Sequence, residues 1–169
     1  MSLSDLAALG SFVSGIAVLI SLIYLASQVR QNMRATRAQI HQNILTGWLG
    51  VCAMVTDNAK VFAAGIGSTE QTFAAMSDEE KLTYLGTIFA FFKNFENSYL
   101  QYQEGFVRPQ DWAAWTNQMF MYWRMSGVQH WWKMRRATFS PEFVRFIETS
   151  HETSMPLTTD IFARTQPSQ

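Results

Sequence analysis

Between Leu6 and Val29 the chain carries no charged residue, and within that run the window LGSFVSGIAVLISLIYLA, Leu9–Ala26, is interrupted only by Gly and Ser. A helix needs ~20 mostly apolar residues to cross the hydrocarbon core of a bilayer, and small residues are tolerated in such helices. A membrane span, a buried core helix and a cleaved signal all begin this way. A signal calls for a basic start and a shorter apolar stretch, whereas MSLSD holds Asp5 and neither Lys nor Arg. The run therefore predicts a transmembrane helix over 6–29, after a short extracytoplasmic segment, 1–5.

Arg30, Arg34 and Arg37 follow directly, and no Asp or Glu occurs between Asp5 and Asp57. Basic residues flanking a span stay on the cytoplasmic side, which places the N-terminus outside and the bulk of the chain in the cytoplasm. The i, i+4, i+7 spacing puts the three Arg on one helical face, able to reach acidic headgroups, although a plain topology signal is the favoured reading of them. Tyr24 suits the same interface. Within the span, Gly10 and Ser14, Ser11 and Gly15, and Ala17 and Ser21 form small-xxx-small pairs, which let helices approach closely in lipid. Ordinary composition produces such pairs as well, and the expectation of a helix-association face is set beside that reading.

Charge argues in the same direction. Lys+Arg and Asp+Glu both number 13, so no global basic field exists to attract nucleic acid. Charged residues are only 15% of the chain, against roughly 25% in soluble domains, as expected where membrane or partners cover part of the surface. Cys52 is the only cysteine and has no thiol partner within the chain.

No strand-like alternation occurs after residue 30, so the remainder reads as helical. Ile40, Ile44, Leu45, Trp48, Leu49, Cys52 and Val55 recur at three and four, predicting a stalk over 30–55 that continues the first helix, with Gly47 and Gly50 as weak points. A bundle over 56–150 and a tail over 151–169 complete the expected organisation. A short helix is expected from Asn58 to Ala64. Ser77-Asp78-Glu79-Glu80 is a capping box opening a helix to about Gln103, apolar on nearly every side and so expected at the centre of the bundle. Pro109 suits the first turn of the next helix, Ser126-Gly127 is expected to break it, and Ser140-Pro141 should cap and open the last one. The expected fold class is all-α: one transmembrane helix continuing into a small cytoplasmic helical bundle.

Taken together, LAALGSFVSGIAVLISLIYLASQVRQN, MSDEEKLTYL, FENSYLQYQEG and WWKMRRATFSPEFVRFIE resemble a family of bacterial proteins with one N-terminal span and a small helical domain. The resemblance covers most of residues 3–149. It implies anchoring in the bacterial inner membrane, and it brings no activity or catalytic residues.

Chemistry-bearing residues are few. Glu148-x-x-His151 resembles half of a carboxylate-bridged dimetal motif, but such sites need the pair twice with two further Glu; it occurs once, and no metal or other cofactor is expected. Glu96 sits among Phe95 and Tyr99, and a buried carboxylate must be paired or protonated, so an interhelix ion pair with Arg135 or Arg136 is expected. Trp112, Trp115, Tyr122, Trp123, Trp131 and Trp132 could line an apolar pocket, face a partner or pack the core. Their density within 21 positions predicts that some lie at an interface.

The functional expectation is a membrane-anchored interaction or scaffold protein, acting as a homo-oligomer or as an accessory subunit of a larger inner-membrane complex. Its partners would be membrane lipid and copies of itself or other membrane proteins, with no nucleic acid. The alternative is a binding protein for an apolar or amphipathic small molecule, such as a lipid, quinone or pigment. An enzyme ranks third, since no nucleophile, oxyanion donor or phosphate loop is recognisable.

Overall fold

The computed structural model describes residues 3–150. Among these the chain is helical and contains no strand. It divides into two compact units between Ile40 and His41.

The first unit is one stretch of the helix α1, Leu3–Asp57. No proline interrupts α1, and the hydroxyl of Ser21 returns to the backbone, donating to the Ala17 carbonyl at 2.8 Å. Every residue from 10 to 39 is exposed, including Leu19, Ile20 and Ile23. An apolar helix in that state has no protein core of its own. It is long and apolar enough to cross a membrane.

The second unit begins with the His41–Asp57 part of α1. It continues through α2 (Ala59–Ile66), α3 (Glu70–Ala74), α4 (Asp78–Gln103), α5 (Pro109–Trp123), α6 (Ser126–Arg135), a 3-10 turn (Arg136–Thr138) and α7 (Pro141–Thr149). Ile44 and Val51 are buried in this unit, so the second half of the sequence-predicted stalk contributes side chains to the bundle.

Helix α4 forms the centre. The expected capping box closes in both directions: the Glu80 amide donates to the Ser77 hydroxyl at 3.2 Å, and the Ser77 amide to the Glu80 carboxylate at 2.8 Å. That bond holds the exposed Glu80 carboxyl below its ordinary range. Downstream, Tyr84, Ile88, Phe91, Phe92 and Phe95 are buried. Spaced at i, i+4, i+7, i+8 and i+11, they share one face within an arc of about 100°, while Leu82 and Leu100 on the other side stay exposed. Helix α4 thus buries one broad face and is not enclosed on every side as the sequence predicts. The helix ends at Gln103, and Gly105 just beyond it has a φ of 75°, in the left-handed region that glycine adopts without steric cost.

Three local details depart from sequence expectation. Helix α3 is additional, started by Thr69, whose hydroxyl accepts from the Thr72 amide. Ser126 and Gly127 open α6 instead of breaking the helix before it, because α5 already stops at Trp123 and Met125 takes the N-cap position. Ser140 occupies the N-cap of α7 without a side-chain capping bond; its amide turns to Glu96 instead, as described below.

Gly127 explains why α2 and α6 can approach so closely. A Cβ at this position would lie 1.8 Å from the Gly65 carbonyl oxygen, and one at Gly65 would lie 2.2 Å from the Tyr84 ring. Backbone therefore rests on backbone, and the Ser126 hydroxyl fixes the contact by donating to the Ser68 carbonyl at 2.9 Å. Burial raises the pKa of the adjacent Tyr84 hydroxyl. Gly127→Ala is expected to lower stability by about 2–3 kcal/mol through overpacking. Gly86→Ala, where a Cβ meets nothing within 4 Å in the middle of α4, should raise it by about 1 kcal/mol. Thermal denaturation of the two variants checks both signs.

Candidate functional site

The aromatic set sorts into two groups. Trp112, Trp123, Trp131 and Trp132 are buried in the core. Trp131 lies 5.1 Å from Phe92, and Trp132 meets Trp123 edge-on at 5.2 Å, geometries that add to area burial. Core packing accounts for these four. Trp115 and Tyr122 are partly exposed, and both border a concave surface.

That surface runs beside the second half of α1. A groove of about 330 Å³ is lined by His41, Leu45, Trp48, Leu49, Cys52, Trp115 and Gln118. A smaller hollow of about 140 Å³ shares Trp48, Cys52 and Gln118 with it and reaches Tyr122. Helix periodicity builds the groove. Ile44 and Val51 point inward, whereas Leu45 and Leu49, roughly 100–140° around the helix from Ile44, remain 45% and 62% exposed. The His41 ring stacks on Trp115 with centroids 6.3 Å apart. Trp48 forms the floor, edge-on to Phe95 at 4.3 Å, with its indole N–H buried and unpartnered.

The lining is mostly carbon, which suits apolar packing more than bond chemistry. His41 and Cys52 cannot act as a nucleophile and base pair, because eleven residues of helix separate their backbones by about 16 Å. Sequence reading grouped Leu45 and Leu49 with Ile44 and Trp48 as one apolar set. That set is too wide for a single face, and its width was the available signal that part of it faces outward.

Glu96 is 7% exposed and paired, but with partners other than those expected. Its carboxylate accepts from Lys93 Nζ at 2.6 Å and from the Ser140 amide at 2.5 Å. Lys93 in turn donates to the Thr138 carbonyl and lies 4.5 Å from the centre of the Phe139 ring. Arg136 instead meets Glu148 at 3.1 Å, while Arg135 is exposed. The expected Glu96 to Arg135/Arg136 contact is therefore replaced. Lys93, three residues before Glu96, is already on the same helical face, and the start of α7 supplies the second donor. Glu148 also accepts from the Trp132 indole, and this bond first, then Arg136, holds its carboxyl below the usual range. His151, the other half of the proposed E-x-x-H pair, lies outside the described residues.

In the first unit, Gly10, Ser11, Ser14, Gly15, Ala17 and Ser21 are all exposed, with open space around both glycines. Tyr24 is exposed and accepts a hydrogen bond from Gln28 at 2.9 Å. Arg30, Arg34 and Arg37 are exposed. Comparison with protein-family models, with curated proteins and with solved structures gives no match for this chain.

Glu96 tests the bundle's polar joint. Removing a partner leaves a buried donor unsatisfied, which costs about 1–3 kcal/mol. Glu96→Ala is thus expected to lose about 2–3 kcal/mol. Glu96→Gln keeps an acceptor for the Ser140 amide and should lose about half as much, since Lys93 is 38% exposed and partly screened. Chemical denaturation of both variants measures the difference.

Proposed function

We propose that the protein is a membrane-anchored interaction protein, in which the N-terminal part of α1 crosses the bilayer and the helical bundle carries a docking face. The observation that carries this reading is an 18-residue apolar window of α1, none of which is buried by the protein's own residues. In water that surface would be unpaid-for apolar area; in lipid it is solvated. Arg30, Arg34 and Arg37 favour the cytoplasmic side for the bundle, with the N-terminus outside, in a bacterial inner membrane.

Interaction is preferred to catalysis because the groove presents carbon and aromatic edges without a base placed beside a nucleophile. It is preferred to capture of an apolar small molecule because Trp112, Trp123, Trp131 and Trp132 are spent on the core. The bundle would serve as a homo-oligomer or as a subunit of a larger membrane complex.

Fractionation of expressing cells tests the anchor. The protein is expected to stay in the membrane pellet after alkaline carbonate and to be released by detergent. Fusion reporters should place the C-terminus in the cytoplasm, and Arg30, Arg34 and Arg37 changed together to Gln should mix the orientation. Release by carbonate alone would refute the anchor.

A further inference from the structure

We propose that residues 41–57 of α1 form a releasable strap, which undocks from α4 and α5 and unwinds while the rest of the bundle stays folded. Release uncovers the aromatic face that Trp48 covers, at Phe91, Phe95 and Tyr122. The inference goes beyond membrane anchoring and stands whether or not the first unit crosses a bilayer.

The strap is held by few contacts. Along it only Ile44 and Val51 are buried, and Trp48 adds its ring against Phe91 at 5.6 Å and Phe95 at 4.3 Å. The hydroxyls of Thr46 and Thr56 donate back into α1 itself, to the carbonyls of Gln42 and Cys52. Elsewhere the bundle is tied by bonds that cross between elements, from Ser126 to the Ser68 carbonyl and from the Ser140 amide to Glu96. Segments with few buried apolar side chains are the parts of a fold that open at the lowest free energy.

The seam beneath the strap is also imperfect. Two buried side-chain donors without a partner lie in it, the Trp48 indole N–H and the Asn94 amide. A donor buried in this way penalises the docked state, and the penalty vanishes when water reaches it on release. Hollows of about 140 and 330 Å³ flank the seam, both lined by Trp48 and Cys52. Side chains facing them lack part of the contacts that a filled interior supplies.

The helix itself is weak at the same place. Gly47 and Gly50 fall within one turn, and glycine is the least favourable helix residue after proline. Packing requires Gly47, because a Cβ there would lie 2.5 Å from Asn94 Oδ1. No contact requires Gly50, where a Cβ meets nothing within 4 Å. Its effect on α1 is to ease unwinding.

Hydrogen–deuterium exchange of the full chain in detergent micelles, read by mass spectrometry, tests release. Amides over 44–55 are expected to show protection at least ten-fold lower than those over 88–95, with little dependence on denaturant below the unfolding transition. Gly47→Cys with Asn94→Cys, in a Cys52→Ser background, supplies a lock. A Cβ at 47 lies 3.3 Å from Asn94 Cγ, the place that a sulfur at 94 takes, which is within reach of a disulfide. Copper phenanthroline oxidises the two thiols to that disulfide, accepting two electrons as two protons leave. The oxidised lock should bring 44–55 to the protection of 88–95, and reduction should restore the difference.

Equal protection and equal denaturant dependence over 44–55 and 88–95 in the unaltered chain would make the bundle one cooperative unit and overturn the proposal. A lock that forms and leaves 44–55 poorly protected overturns it as well, since the helix then frays in place without leaving α4. Both readouts are independent of whether the protein stays in the membrane pellet.

Discussion

Apolar carbon must leave water, and the N-terminal stretch of α1 has no protein interior in which to put it. Everything else about the chain follows from that constraint. The same helix that is wholly exposed from Gly10 to Gln39 contributes Ile44 and Val51 to a packed core further along. One secondary structure element thus carries a fully exposed apolar stretch and a partly packed one, and its residue pattern changes accordingly. From Leu6 to Val29 no residue is charged, and past the three arginines Ile44 and Val51 are buried while Leu45 and Leu49 stay exposed.

The bundle compensates for its modest size with aromatic area. Helix α4 buries one broad aromatic face, with Phe92 touching both Trp131 and Trp132 and Phe91 touching Trp48 and Tyr122. Such a centre leaves little room for polar groups, and those present are tied down. Glu96 accepts from Lys93 and from the backbone at the start of α7, joining two parts of the chain 44 residues apart. Where side chains would not fit, glycine lets backbone meet backbone at Gly65 and Gly127. Stability and shape here come from packing first and from a small number of satisfied charges second.

Elements governed by local chemistry were legible from sequence. The capping box at Ser77 and Glu80, and Pro109 and Pro141 at their helix starts, act through neighbours a few residues away. The long apolar stretch at the start of α1 is equally local, a matter of length and missing charge. Features that depend on which faces meet were not. The partner of Glu96 could be guessed by charge but not by place, since the distant Ser140 amide arrives only when α7 docks. The aromatic cluster could not be divided into core and edge, because Trp112 and Trp115 have the same chemistry and differ only in which side of α5 they occupy. The groove lay hidden for the same reason: Leu45 and Ile44 are neighbours in sequence and face different environments.

The most direct measurement is the depth of two labelled positions in vesicles reconstituted with the full chain. A spin label at Leu19→Cys and another at Gly50→Cys, each with Cys52→Ser, are compared for collision with oxygen and with a water-soluble nickel chelate. A spanning α1 predicts that the label at 19 is reached by oxygen and shielded from nickel, and that the label at 50 shows the opposite. Nickel access at both positions would contradict the account.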